Sequence, residues 1–443
     1  QGINGGIIME KFTSLIEKFL MPLASKLSSN KYLKAISNGF GILLPVIMVG
    51  AIFTLLANLQ IGPYQSFVQA THLKEIFSFA PAVTTDLLAI YAVFLIAKAL
   101  SENFELEEKD CTISAIIALL SFLILIPMGV VGKEGEVTVT VAAAIGTKWL
   151  GAAGLFSAMV VALIVPTIYK FIKDKNIGIK MPDSVPPTIS KSFSALLPAF
   201  VIAFLFCIIR YLFALTSYGS ANQFIYSMLQ KPLTGLGASP FTFVLFIILC
   251  SLLWFFGLHG GMIVMPFLTM LYASAGLENL QAYAAGTELP NVITKAWWPA
   301  YASLGGAGGT LGLCVIMILF AKSKRYKALG SLALPSGLCG INEPITFGLP
   351  VVLNTIIIIP VILAPVITFG IAYFATNIGL VPILNGAEIP LGTPVIFSGW
   401  MTGGLRAAIL QVVLIIVQML IYFPFFKVLD NQAVKEETEE VAE

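Results

Sequence analysis

Long apolar runs limit this chain to very few folds. In the first half, runs of about the 20 residues that cross a bilayer core occur at 37–59, 82–100, 112–131, 151–172 and 194–216. Hydrocarbon offers no hydrogen-bond partner to a backbone N–H or C=O, so only helices and closed barrels can span it. With 58% hydrophobic residues and a mean hydropathy of +0.93, the sequence predicts an all-α polytopic membrane protein in a lipid bilayer.

The second half is less regular. Residues 258–302 contain apolar stretches interrupted by glycine and proline, which predicts a broken helix or a re-entrant hairpin that makes one net crossing. The other spans are expected at 240–257, 303–321, 351–375 and 405–427. The total is about ten transmembrane helices.

The connectors carry signals of their own. Residues 9–36 alternate lysines with large apolar residues, which predicts a cytoplasmic amphipathic helix, and 220–231 predicts a second interfacial helix. The segment 132–147 alternates apolar and polar residues and contains glycine, as a short hairpin outside the bilayer would. Residues 430–443 are acidic and predicted to be disordered. We expect residues 1–8 to be a remnant that precedes a natural start at Met9.

Charge indicates the orientation of the chain. Lysines are concentrated in 26–36, 170–191 and 322–327, whereas 60–80, 217–239 and 376–404 hold few positive charges. Because cytoplasmic loops carry the excess of Lys and Arg, the lysine-rich segments and both termini are predicted to be cytoplasmic. The net charge of +2, without a basic cluster interleaved with aromatics, gives no reason to expect a nucleic-acid partner.

The segment 334–354 places a carboxylate, Glu343, among apolar residues and chain breakers. Its prolines and glycines are too many for a continuous helix, so it is predicted to be a re-entrant hairpin entered from the cytoplasmic side. An ionisable residue at membrane depth predicts a binding or proton-handling site. Alternatively, Asn342 and Glu343 merely satisfy the backbone ends of a broken helix.

His259 is the second polar residue that the apolar pattern does not explain. Gly257, Gly260 and Gly261 surround it, and glycines permit the close approach of a ligand or another backbone. It could equally be a structural histidine. If the two broken segments face each other, the imidazole lies near Glu343. Neither a metal nor a cofactor is expected, because the two histidines of the chain, His72 and His259, share no ligand spacing with carboxylates.

Carboxylate, amide and imidazole together suit a polyol, because they offer both acceptors and donors to hydroxyl groups. A carboxylate in contact with a hydroxyl can also accept its proton during transfer to an electrophile. Trp254 precedes His259 by one to two turns and is the tryptophan most suited to stack on a sugar ring, although most tryptophans in such chains belong to interfacial belts. These residues predict a sugar substrate.

Three stretches resemble one known family. The runs GINEPITFGLP (340–350), FFGLHGG (255–261) and TKWLGAAGLF (147–156) are similar to those of the IIC sugar permease component of the bacterial phosphoenolpyruvate-dependent phosphotransferase system, in the lactose, cellobiose and diacetylchitobiose branch. The resemblance covers residues 9–430. It implies that a β-linked disaccharide is carried across the bacterial cytoplasmic membrane and phosphorylated at its 6-hydroxyl by a phosphocysteine on a separate IIB protein.

The resemblance also implies roles for particular residues. Glu343 would be the general base on the 6-hydroxyl, His259 would bind and orient that hydroxyl, and Asn342 would hold the same sugar ring. Further sugar contacts are implied at Gly146, Thr147 and Gly151. The family forms homodimers, so residues 37–232 would be the scaffold and dimerisation half and residues 233–429 the substrate-binding half.

Two other functions fit less well. In a proton-coupled secondary sugar transporter, Glu343 would carry the coupling proton and the sugar would stay unphosphorylated, but a proton relay favours further paired acids or histidines. A channel would line several helices with polar residues, whereas here they concentrate at two broken segments.

Overall fold

The computed structural model describes residues 22, 25–27, 29–58, 62–134, 137–175, 177, 187–349, 351, 354, 356–390 and 392–440. The predicted remnant at 1–8 and residues 9–21 of the predicted amphipathic helix lie outside this part of the chain. The first half contains the helices α1 (Lys31–Asn58), α2 (Gly62–Ala70), α3 (Leu73–Val83), α4 (Leu88–Asn103), α5 (Glu108–Leu125), α6 (Ala152–Asp174) and α7 (Pro187–Ala214).

The second half begins with a bent pair of helices. The helices α8 (Ala221–Ile225) and α9 (Lys231–Gly237) are joined by a π-helical turn at Tyr226–Gln230. The bent pair consists of this whole stretch, Ala221–Gly237, and of α10 (Pro240–Phe255), with an angle of 71° between the two. The remaining helices are α11 (Gly260–Ala285), α12 (Leu311–Phe320), α13 (Lys324–Leu338), α14 (Glu343–Gly348), α15 (Ile358–Asn377) and α16 (Phe397–Glu440), the last of which is kinked at Gly404.

A two-stranded antiparallel sheet interrupts the helices. Strand β1 (Met128–Glu134) pairs with β2 (Val137–Ile145), with a bulge between Met128 and Val130. The hairpin predicted at 132–147 is therefore present and begins earlier than expected. The predicted span 112–131 is correspondingly shorter, because α5 ends at Leu125.

The number of spans is lower than predicted. Within the described ranges, seven helices are long and apolar enough to cross a membrane, or eight if the bent pair counts as one span. The span expected at 303–321 is helical only over Leu311–Phe320, because the glycines at 305, 306, 308 and 309 adopt positive φ angles that a helix does not allow. The count of about ten is not confirmed.

The break expected within 258–302 is present but lies late in that segment. Helix α11 runs through Pro266 as one helix to Ala285, after which Gly286 has a positive φ and the backbone is irregular as far as the π-helical turn Trp298–Ala302. The expectation for the acidic tail is wrong. The segment 430–440, expected to be disordered, continues α16. Its acidic side chains bind the backbone that precedes α13, as Asp430 does at Lys322 and Ser323.

The chain divides into two compact units. The first consists of Asn30–Leu236 and Thr269–Glu288, and the second contains the described residues of Gly237–Leu268 and Leu289–Glu443. Helix α11 contributes to both. The core of the first unit centres on α4, α5 and α6, with Ile96, Phe122 and Leu155 fully buried. The core of the second unit contains Leu313, Met317 and Tyr422.

Candidate functional site

Glu343 begins a short helix in the second unit. Helix α13 ends at Leu338, and Gly340 turns the chain with φ at +75°. Glu343 and Pro344 then form the first turn of α14. Proline suits this position because the first helical N–H groups have no intrahelical partner, and a carboxylate there is favoured by the positive end of the helix dipole. The chain breakers around Glu343 thus build a helix–turn–helix.

His259 lies in the turn between α10 and α11. Gly257 adopts a φ of +75°, and a Cβ on Gly260 would overlap the carbonyl oxygen of Cys250, so only glycine permits this close approach of the two helices. The Nδ1 atom of His259 accepts a hydrogen bond from the backbone N–H of Met262 at 3.2 Å. Because Nδ1 is the acceptor, a neutral imidazole carries its proton on Nε2.

The structure brings His259 and Glu343 together. His259 Nε2 lies 3.6 Å from Glu343 Oε1, and the two side chains are 45% and 43% exposed. This separation exceeds an ordinary hydrogen bond. The second carboxylate oxygen, Oε2, is buried and has no hydrogen-bond partner among the described residues. Because its contact with His259 is longer than a hydrogen bond, Oε1 keeps acceptor capacity beside the Nε2 donor, which is the arrangement that a hydroxyl requires.

Asn342 is fixed by a glycine turn. Its Nδ2 donates to the carbonyl oxygen of Ala307 at 2.6 Å, and the side chain is 6% exposed. A Cβ on Gly306 would lie 2.7 Å from Asn342 Oδ1. One amide proton is thus engaged by the protein backbone, which leaves the remaining polar capacity of Asn342 for the sugar contact that the resemblance implies.

Trp254 supports the histidine ring. The two ring centroids are 4.5 Å apart with the planes tilted by 48°. Trp254 is only 6% exposed, and its Nε1 has no hydrogen-bond partner within the described part of the chain. The indole packs on His259 and offers little open face for stacking. A direct sugar contact at Trp254 stays a prediction.

The other predicted contact residues belong to the first unit. Gly146 and Thr147 lie at a short 3₁₀ turn, and Gly151 immediately precedes α6. A Cβ on Gly151 would lie 2.9 Å from Gln281 Nε2, and that amide donates to Asp86 Oδ1 at 2.9 Å. The TKWLGAAGLF run therefore packs at Gly151 against Gln281 and the backbone of Asp86, while Gln281 also pairs with the Asp86 carboxylate.

Sequence reasoning missed two features of the second unit. One is the glycine turn at 305–309, which was included in a predicted span although its four glycines signalled a break. The other is an ion pair in which Lys295 Nζ lies 3.0 Å from Glu388 Oε1, with the side chains 21% and 17% exposed. Each partner compensates the burial of the other. Nothing in the spacing of Lys295 and Glu388 along the chain indicated this pair.

Comparison with known proteins gives consistent matches along the chain. The sequence profile of the family described as "Phosphotransferase system, EIIC" matches residues 37–365. The chain is 34% identical over 431 residues to the PTS system oligo-beta-mannoside-specific EIIC component of Bacillus subtilis (strain 168), covering 97% of this chain and 96% of that protein. It is 35% identical over 438 residues to the PTS system cellobiose-specific EIIC component of Geobacillus stearothermophilus, covering 97% and 96%.

A solved structure is also similar. It is the crystal structure of the transporter ChbC, the IIC component from the N,N'-diacetylchitobiose-specific phosphotransferase system, and it matches with a TM-score of 0.91 at 35% sequence identity. The match covers 96% of this chain and 99% of that one. At this identity and coverage the similarity extends over the whole fold.

Proposed function

The chain belongs to the EIIC family of the phosphotransferase system, and from this premise we propose that it carries a β-linked disaccharide across the bacterial cytoplasmic membrane and presents the sugar 6-hydroxyl to a phosphocysteine on a separate IIB protein. The EIIC proteins are membrane components of sugar phosphotransferase systems. The proposed unit is a homodimer with both termini in the cytoplasm.

The observation that carries this proposal is the pairing of Glu343 with His259. Their reacting atoms, Oε1 and Nε2, are 3.6 Å apart, which allows one hydroxyl oxygen to contact both groups. The proton on Nε2 faces the carboxylate because Nδ1 is occupied by the Met262 N–H. In this arrangement His259 Nε2 donates a hydrogen bond to the oxygen of the sugar hydroxyl, and Glu343 Oε1 accepts one from the hydroxyl proton. The base is therefore the carboxylate.

The proposed step transfers one phosphoryl group. The sugar 6-oxygen forms a bond to phosphorus while the bond between phosphorus and the cysteine sulfur of IIB breaks, so the sulfur leaves as a thiolate. Glu343 takes the hydroxyl proton as the oxygen attacks. Phosphoryl transfer requires in-line positioning and charge stabilisation more than covalent chemistry by the protein. Holding the hydroxyl between two fixed groups supplies that positioning.

The substrate class is proposed from the names of the relatives. Those described above are named for oligo-beta-mannosides, cellobiose and N,N'-diacetylchitobiose. Diacetylchitobiose is the proposed first choice, and cellobiose is the competitor to test beside it. The polar groups around Glu343 are suited to sugar hydroxyls and do not by themselves distinguish the two.

The test uses the purified protein in vesicles with each radiolabelled disaccharide, with and without phosphorylated IIB. We expect phosphorylated sugar inside the vesicles only when IIB is present. Accumulation of free sugar driven by a proton gradient, without IIB, would instead make the protein a secondary transporter and Glu343 a proton carrier.

Replacing Glu343 by glutamine separates binding from chemistry. Glu343→Gln keeps the shape of the side chain but cannot accept the hydroxyl proton, so we expect sugar affinity to persist and phosphorylation to fall by about 10²- to 10⁴-fold. Binding is measured by equilibrium dialysis and phosphorylation by single-turnover assays with phospho-IIB.

Glu439→Gln is the control for this variant, because Glu439 is an exposed carboxyl of the same unit. It should behave as the wild-type protein. Phosphorylation at the wild-type rate by Glu343→Gln would remove Glu343 from the role of general base.

A further inference from the structure

Two buried side chains of α16 fasten the glycine turn that holds Asn342. We infer that Tyr422 and Gln418 are positioning residues, which act through the turn at 305–309 to hold Asn342 and, with it, the carboxylate of Glu343. This inference deepens the proposed function and rests on it. All the residues involved belong to the second unit.

The turn has a backbone that side chains would disfavour. Gly305, Gly306, Gly308 and Gly309 have φ values of +83°, +95°, +85° and +64°, a region that glycine reaches without the steric cost of a Cβ. The turn has hydrogen bonds of its own, from the N–H of Gly309 to the carbonyl oxygen of Gly306 at 3.0 Å and from Thr310 Oγ1 to the carbonyl oxygen of Gly305 at 2.7 Å. Because glycine has the largest conformational freedom in the unfolded chain, we expect side chains that bind the turn from outside to add to its rigidity.

Helix α16 supplies those groups. Tyr422 donates its hydroxyl proton to the carbonyl oxygen of Gly308 at 2.6 Å. Gln418 donates from Nε2 to the carbonyl oxygen of Leu304 at 3.3 Å and accepts at Oε1 from the N–H of Gly312 at 3.1 Å. Both side chains are fully buried. They are four residues apart and lie on one face of the helix.

The glycine turn holds the side chain of Asn342. The carbonyl oxygen of Ala307, between the two pairs of glycines, accepts the hydrogen bond from Asn342 Nδ2. Gly306 packs against the same side chain so closely that a Cβ there would lie 2.6 Å from Asn342 Cβ. The asparagine is thus fixed by a hydrogen bond and by a steric contact, both made with a backbone that Tyr422 and Gln418 anchor.

The consequence concerns Glu343. Asn342 and Glu343 are consecutive, so a displacement of the asparagine backbone changes the distance between Glu343 Oε1 and His259 Nε2. Catalysis is sensitive to such shifts, because a misplacement of about 1 Å can cost about 10²-fold in rate. Loosening the turn should therefore lower the rate of phosphoryl transfer more than the affinity for sugar.

Tyr422→Phe tests this inference by removing a single hydroxyl. We expect the phosphorylation rate at saturating sugar and phospho-IIB to fall by about tenfold, while the dissociation constant for sugar changes by less than about threefold.

Tyr301→Phe is the matched control, since the Tyr301 hydroxyl is also fully buried in the second unit but has no hydrogen-bond partner among the described residues. It should retain the wild-type rate. Equal rates for the two tyrosine variants would overturn the inference.

A double-mutant cycle identifies the route of the effect. If Tyr422 acts through Asn342, adding Tyr422→Phe to Asn342→Ala should cause no further loss of rate, because Asn342→Ala already removes the hydrogen bond to the Ala307 carbonyl oxygen. Losses that multiply would mean that Tyr422 acts independently of Asn342 and would also overturn the inference.

Hydrogen exchange keeps the inference separate from the proposed function. If wild-type protein produced no phosphorylated sugar with phospho-IIB, the proposed function would fail, yet the positioning can still be measured. Amide exchange in the peptide 340–349 should be faster in Tyr422→Phe than in Tyr301→Phe. Identical exchange in the two variants would refute the positioning role whatever the activity.

Discussion

At the scale of single residues, His259 has two separate tasks on its two ring nitrogens. Nδ1 accepts the Met262 N–H and so caps the N-terminus of α11. Nε2 faces Glu343 Oε1. The protein backbone therefore determines which nitrogen is available to a ligand, as hydrogen bonding commonly does for functional histidines.

Two amide substitutions separate these tasks. His259→Asn places an oxygen near the position of Nδ1, and asparagine is a favourable helix N-cap, so thermal stability should be preserved while phosphorylation falls by about 10- to 100-fold for lack of the donor. His259→Gln reaches further towards the position of Nε2. It should retain more activity and lose about 1 kcal/mol of stability with the cap.

Thermal unfolding and sugar phosphorylation are measured on both variants in parallel, with His259→Ala as the reference that lacks both groups. If His259→Asn and His259→Gln lost stability and activity in the same proportion, the division between the two nitrogens would be wrong.

At the scale of elements, the acidic end of α16 is a cap for α13. Asp430, 4% exposed, accepts from the backbone N–H of Lys322 at 2.9 Å and from that of Ser323 at 3.0 Å. Glu437 accepts from the N–H groups of Lys324 and Arg325, each at 3.1 Å. The backbone N–H groups at the start of a helix have no intrahelical partners, so these carboxylates satisfy donors that would otherwise need water.

Removing the charge of Asp430 should destabilise the second unit. Asp430→Asn keeps the size of the side chain but weakens two charge-assisted hydrogen bonds in a buried position, which should cost about 1–3 kcal/mol. The midpoint of thermal unfolding in detergent is the measurement. Glu439→Gln, a charge removal at an exposed position of the same helix, should leave that midpoint unchanged. Equal midpoints for the two variants would show that the cap contributes nothing to stability.

The sequence predicted helices better than it predicted their ends. Hydropathy identified α1, α6 and α15 to within a few residues at most ends, because an apolar run of spanning length has few alternatives to a helix. The tail at 430–440 was misjudged because its acidic composition resembles a solvated segment, whereas its partners lie at Lys322 and Ser323, more than a hundred residues away. The glycine turn was missed for the opposite reason. Glycine hardly lowers the mean hydropathy of 303–321, so this segment still had the composition of a span.

The candidate site shows the same limits. Glu343 and His259 stood out because a polar residue in an apolar, glycine-rich setting has few structural explanations. Tyr422 and Gln418 did not stand out, because they lie within the long apolar run of α16 and their partners are backbone atoms. The ion pair between Lys295 and Glu388 was not predicted for a similar reason, since the two residues lie in irregular segments of the chain.

At the scale of the whole molecule, α16 ties two stretches of chain to one side of the membrane. Arg325 lies 3.3 Å from Glu436, so the basic segment 322–327 and the end of α16 must share a side. Because positively charged segments remain in the cytoplasm, we expect that side to be the cytoplasmic one.

Single cysteines test this orientation in a cysteine-free background. Lys324→Cys and Glu439→Cys, both at exposed positions, should react with a membrane-impermeant maleimide only when the cytoplasmic face is accessible, as in inverted vesicles. Ser217→Cys, in the lysine-poor segment 217–239, should react in intact cells. Labelling of the first two cysteines from opposite faces would contradict the contact between α16 and α13.

The cap on α13 also separates two events in time. Its carboxylates bind peptide N–H groups of Lys322 and Lys324 and leave the ammonium groups of these lysines outside the hydrogen bonds. Because a chain is synthesised from its N-terminus, residues 322–327 leave the ribosome about a hundred residues before Asp430 and Glu437. The lysines can thus determine orientation during insertion while no acidic partner exists, and the same stretch of backbone becomes a fastening point only once the last helix is complete.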